Sequence, residues 1–136
     1  MEKINYKLEN LHKMVAALEA SIDMLERVEQ QHVEYLQDSV VARFKILIES
    51  TWKAMAHLFE HQGLLEVPAN PRGVMTLAHR IRYISQDERD EFIGYISLRN
   101  LASHLYDQPQ YILVVTVAPG ALKLVKQLVE RMQREL

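Results

Sequence analysis

The apolar positions recur every three or four residues along almost the whole chain. Ile4, Leu8, Leu11, Val15, Leu18, Ile22, Leu25 and Val28 form one such stripe, the pattern of an amphipathic helix. It predicts a long first helix over residues 4–31, with Met14 and Met24 widening the buried face as core filler. Val41, Phe44, Leu47, Ile48, Trp52, Met55 and Leu58 form a second stripe and predict a helix over 33–62. Asp38 and Ser39 would be an alternative start, but the helical pattern runs through them. Gly63 follows that stripe as glycine does just past a helix end. Pro68 and Pro71 keep 63–70 as a loop. Pro71 suits a first helical turn, and Val74, Leu77, Ala78 and Ile81 predict a short helix over 71–82. Ser85 and Glu88 have capping-box spacing, so a fourth helix should begin near Gln86 and run to Tyr106.

The last segment is ambiguous. Tyr111-Ile112-Leu113-Val114-Val115-Thr116-Val117 has strong strand propensity. Nothing else in the chain alternates with period two, so a strand there would have no partner. The segment is therefore read as helix, started by Asp107 and Pro109. Pro119-Gly120 should kink or break it, and Leu122, Val125, Leu128, Val129 and Met132 continue it to 135. The expected fold is all-α, an up-and-down four-helix bundle with one short additional helix. At 136 residues the chain is read as a single domain over 1–136.

Composition narrows this little. Hydrophobic content is 49% and charged content 25%, ordinary for a globular protein. With no cysteine, disulfide and thiolate chemistry are excluded and a cytoplasmic location fits. The N-terminus carries no apolar signal region. Tyr111–Val117 is the longest apolar run, too short to span a bilayer, so no membrane role is expected. A net charge of −2 argues against nucleic-acid binding by overall charge. Local basic groups remain: Arg72, His79, Arg80 and Arg82, with Arg43, Lys45 and Lys53 on the second helix.

The chemistry concentrates in Arg99-Asn100-Leu101-Ala102-Ser103-His104-Leu105-Tyr106-Asp107, read as the last turns of the fourth helix. Leu98, Leu101, Ala102 and Leu105 would face the core. Asn100, Ser103, His104 and Asp107 make a polar stripe, with Arg99 and Tyr106 on the stripe beside it. Arg99 and His104 stand about 140° apart around the axis. They would meet one ligand only from opposite flanks, or together with a second copy of the helix. His104 can take and return a proton near neutral pH, and Arg99 offers a fork that matches phosphate. The bland alternative is a helix-end His–Asp pair beside a surface arginine. His57-Leu58-Phe59-Glu60-His61 has a zinc-peptidase spacing but no third ligand, so no metal site and no cofactor is assigned.

Arg99, His104 and Tyr106 in the order Arg-x4-His-x-Tyr resemble the signature of HEPN domains. They look most like the HepT-like, nucleotidyltransferase substrate-binding branch. Phe44, Glu49, Trp52 and Lys53 resemble that branch's Phe-x4-Glu-x2-Trp-Lys pattern, and Asn70-Pro71-Arg72 its Pro-Arg helix start. The resemblance spans roughly residues 5–135. It implies a homodimer whose motif helices face each other across a cleft. It implies a metal-independent endoribonuclease toxin that cuts RNA, whether tRNA or mRNA. Arg99 and His104 would be catalytic, and Asn100, Ser103 and Glu49 would support the site. A small nucleotidyltransferase antitoxin would silence the toxin by attaching AMP to Tyr106. The alternative is a non-catalytic substrate-binding subunit of such a nucleotidyltransferase, and a third reading is a structural bundle whose motif is accidental. Trp52 is expected in the core, and Glu49 is expected to pair with an Arg or His of the site.

Overall fold

A computed structural model describes residues 2–28, 33–102 and 108–135. The described residues form α1 (Glu2–Arg27), α2 (Val33–His61), α3 (Pro71–Arg80), α4 (Gln86–Leu101) and α5 (Gln108–Arg134). The fold is all-α, four long helices and one short one, as the apolar periodicity predicts.

Side-chain bonds between helices give their directions. Ser21 Oγ lies 2.9 Å from Ser39 Oγ, and Arg43 donates to the Ala17 carbonyl at 2.5 Å, so α1 and α2 run antiparallel. Tyr111 donates to Asp38 near the start of α2, and Gln62 donates to Glu135 just beyond its end, so α5 runs parallel to α2. Lys45 meets Ala102 while Glu49 meets Arg99, which makes α4 antiparallel to both. The long helices therefore alternate up and down.

One core runs through the bundle. Phe44, Leu47, Met55, Leu58, Phe59, Phe92, Val114, Ala118 and Val125 are all at zero exposure. Such close packing stabilises by roughly 1.5–3 kcal/mol for each large side chain removed from water. The short connections follow local chemistry. Gly63 takes a positive φ of 87°, which lets the chain turn back and Leu64 N–H donate to the Phe59 carbonyl at 3.1 Å. Asn70 caps α3 through Gly73 N–H, with Pro71 in its first turn. Ser85 and Glu88 form the reciprocal capping box of α4.

Several boundaries and faces differ from expectation. Helix α1 ends at Arg27, with Val28 outside it and 29–32 outside the described residues. Helix α3 ends at Arg80, because Arg82 adopts a left-handed φ of 61° that no helix continues through. Met24 is 57% exposed rather than core filler. It lies about 120° around α1 from buried Leu18, so it falls on the solvent flank, whereas Met14 packs against the core. Helix α4 is described to Leu101 with Ala102 as its cap, and the rest of the expected helix, to Tyr106, lies outside the described residues. Leu101 is half exposed although Leu98 and Ala102 are buried. The core-facing arc is narrower at this terminus than the apolar pattern suggests.

Pro119 sits inside an unbroken α5. An interior proline costs on the order of 3 kcal/mol. Ala118, Ala121, Leu122 and Val125 on either side of it are all buried in the one core, and that packing outweighs the lost hydrogen bond. The same packing decides Tyr111–Val117, which is helical despite its strand propensity. By length and composition alone Pro109–Arg134 would suffice to cross a bilayer, its most apolar 18-residue stretch having a mean hydropathy of 1.7, a point that the length of the apolar run missed. Its apolar face is instead packed against α1, α2 and α4.

Candidate functional site

Near the C-terminal end of α4, three helices leave a pocket of about 250 Å³. Its apolar lining is Ile48 and Trp52 of α2, Pro71 of α3 and Ile96 of α4. Its polar groups are Glu49, Arg99 and Asn100. Helical spacing explains the set. Residues three or four apart share a face, so Ile48 and Trp52, with Glu49, come from one side of α2, and Ile96, Arg99 and Asn100 from one side of α4. Of the residues singled out from the sequence, Glu49, Arg99 and Asn100 are brought together here. Ser103, His104, Tyr106 and Asp107 lie outside the described residues.

Glu49 is the hub. Its Oε2 accepts from Trp52 Nε1 at 3.1 Å and stands 3.6 Å from Arg99 Nη2. Its Oε1 stands 3.1 Å from Lys53 Nζ, and Lys53 also sits 5.8 Å from the centre of the Trp52 ring, within cation–π range. Burial pushes the Glu49 carboxyl up. The bonds from Trp52 and Lys53 and the charges of Arg99 and Lys53 more than offset this, and hold it below the ordinary carboxylate value. Arg99 Nη1 donates to Asn100 Oδ1 at 3.2 Å. Among the described residues the rim thus carries two cations against one carboxylate, on a chain whose net charge is −2.

Two further contacts position the site and escaped sequence reasoning. Lys45 Nζ donates to the Ala102 carbonyl at 3.3 Å. A cation at a helix C-terminus satisfies a carbonyl that the helix leaves open and complements its dipole, so α2 holds the end of α4. Arg72 Nη2 donates to Ser97 Oγ at 2.7 Å, which draws the start of α3 over the pocket and places Pro71 in its wall. The Asn70-Pro71-Arg72 helix start was the only sequence signal for this. Trp52, expected in the core, is 9% exposed, so it is both a core residue and the pocket's aromatic wall. Among the described residues no group of three His, Asp or Glu side chains is gathered as metal ligands would be.

The profile of the family described as nucleotidyltransferase substrate binding protein like matches residues 6–134. The chain belongs to that family. No curated protein matches it. Among solved structures, a Thermus thermophilus protein is 25% identical with a TM-score of 0.70, over 86% of this chain and 99% of that one. A tri-AMPylated Shewanella oneidensis HEPN toxin in complex with an MNT antitoxin is 23% identical with a TM-score of 0.68, over 91% of this chain and 96% of the toxin. A toxin–antitoxin structure with AMP-PNP is 23% identical with a TM-score of 0.66, over 90% and 96%. At these identities the last two are likenesses of fold. The resemblance to the HepT-like HEPN branch, drawn from the Arg99, Trp52 and Pro71 motifs, is borne out by the family and by the fold.

Proposed function

We propose that the chain acts as one HEPN-like domain, a metal-independent endoribonuclease toxin of the cytoplasm that a small nucleotidyltransferase holds in check. The observation that carries this reading is the convergence of Arg99, Asn100 and Glu49 on one pocket, in a chain of this family and fold. Arg99 is presented by the last turn of α4, immediately before the segment that contains His104.

Strand cleavage needs a base to take the proton of a ribose 2′-hydroxyl. The freed 2′-oxygen attacks the adjacent phosphorus, and the 5′-oxygen leaves with a proton. His104 supplies the proton transfers. Arg99 stabilises the charge that builds on the phosphate oxygens. Glu49 and Asn100 keep the Arg99 guanidinium at the pocket rim, and Ser103 supports the segment beside them. In a homodimer two such segments would face one another and supply a pair of each catalytic group.

Tyr106 is the proposed target of AMP transfer. An adenylyl group there would add bulk and negative charge near Arg99 and repel substrate phosphate. The test is incubation of the purified protein and of His104→Ala with total RNA and with tRNA in EDTA, with intact mass confirming unmodified Tyr106. Cleavage by the parent alone is expected. No cleavage by either would favour a substrate-binding subunit without activity of its own, the reading that the family's description supports.

A further inference from the structure

We propose that the pocket between α2, α3 and α4 receives a single nucleobase carrying an exocyclic amino group, taken from the strand whose phosphate Arg99 holds. The inference rests on the ribonuclease reading for its substrate and on the pocket alone for its chemistry.

The size sets the first limit. About 250 Å³ is enough for one base, and a base must leave its stack and its partner to enter a pocket, so the strand must be single or locally unpaired, as sequence-reading proteins require of RNA. The walls set the second. Ile48, Ile96, Pro71 and the Trp52 indole offer apolar and aromatic surface to a flat ring.

The polar edge sets the third. An ionised carboxylate only accepts hydrogen bonds and has about four lone-pair positions. Trp52 and Arg99 occupy the Oε2 side of Glu49, and Lys53 takes one position on Oε1. An acceptor position therefore remains on Oε1. Asn100 receives Arg99 on its Oδ1, which leaves its Nδ2 as a donor. The pocket thus presents an acceptor and a donor. Adenine, cytosine and guanine each match with an amino group beside a ring nitrogen or carbonyl. Uracil can also set its imide N–H on the carboxylate and one carbonyl on Asn100, but its second carbonyl is then held against the carboxylate, a repulsion that the amino-bearing bases escape. Arg99, on the same rim, holds the phosphate attached to that nucleotide.

The chain has a single tryptophan, and it lines this pocket, so selective excitation of Trp52 reports binding here without any need for catalysis. Titration of the full-length protein with AMP, GMP and CMP is expected to change Trp52 emission saturably. Ribose 5-phosphate, which leaves the carboxylate unmatched, and UMP, whose second carbonyl is set against it, are expected to bind on the order of tenfold more weakly. Glu49→Gln keeps the side chain's shape and an acceptor for Trp52, and should erase the preference between CMP and UMP. Asn100→Ala should weaken all three amino-bearing nucleotides. Equal affinity for UMP and CMP, no emission change with any nucleotide, or a preference that survives Glu49→Gln would each overturn the proposal. Loss of RNA cleavage with nucleotide preference retained would instead remove the ribonuclease reading and leave the pocket standing.

Discussion

Helix α4 carries an arginine–carboxylate pair at each end, and the two are built differently. At its start, Glu88 receives Arg131 of α5 in fork geometry, with Nη1 at 2.8 Å from Oε1 and Nη2 at 2.6 Å from Oε2. The same carboxylate accepts from Ser85 N–H at 2.9 Å in the capping box. At its other end, Arg99 approaches Glu49 at only 3.6 Å, and Glu49 is shared with Trp52 and Lys53. The first pair is geometrically saturated, and its function is to lock α4 to α5. The second is loose, crowded with cations and open to a pocket, so its groups can exchange partners when a ligand arrives. Residue type does not separate the structural pair from the candidate site, and neither does a neighbouring void, since both pairs border one. The geometry of the pair does.

The largest expected difference between the two ends is in catalysis. His104→Ala or Arg99→Ala should lower RNA cleavage by about a hundredfold or more with an unchanged unfolding midpoint. Glu88→Ala should leave cleavage per folded molecule unaltered. Equal cleavage by all four proteins, parent included, would erase the distinction. The next difference is in stability. Glu88→Ala removes a capping contact and both arms of the Arg131 fork, and should cost about 2 kcal/mol, read from urea unfolding at neutral pH.

Acid unfolding sharpens the comparison. The bond from Arg131 is the main cause that holds the Glu88 carboxyl below its ordinary value of 4.5, against the opposing effect of burial, with further help from Ser85. A carboxyl lowered by folding contributes stability that is present above its unfolded value and is lost as pH falls through the folded one. The parent should therefore lose stability as pH drops below about 4.5, and Glu88→Gln should lose measurably less over the same range. Parallel curves for the two proteins would mean that the fork does not couple to folding. The smallest effect should come from Glu49→Gln, which should change stability by less than about 1 kcal/mol, because its ion pairs are partly exposed and loosely held.

Much of this molecule is legible in its sequence. The four long stripes, Gly63, Asn70-Pro71 and the Ser85–Glu88 box place all five helices, because spacing and capping act within a few residues. Glu49, Trp52, Arg99 and Asn100 were also readable, through their helical spacing and the resemblance they carry. Less legible were the faces at the edges of the stripes. Met24 and Leu101 look like core residues by pattern and are exposed, since a helix buries only the arc that a neighbour covers. The Lys45–Ala102 and Arg72–Ser97 bonds join residues far apart in the chain, and no local spacing names their partners.

The sequence by itself determined the amphipathic stripes, the capped starts of α3 and α4 and the chemical inventory, because backbone sterics, capping and apolar periodicity are short-range effects. Only the tertiary structure decided that Tyr111–Val117 is helical and that α5 passes unbroken through Pro119. There the burial of a continuous apolar face outweighs local propensity. Only the tertiary structure, too, set Glu49 against Arg99 at a 250 Å³ pocket. A carboxylate on α2 meets a guanidinium on α4 through the antiparallel packing of two helices, a relation that no spacing within either helix contains.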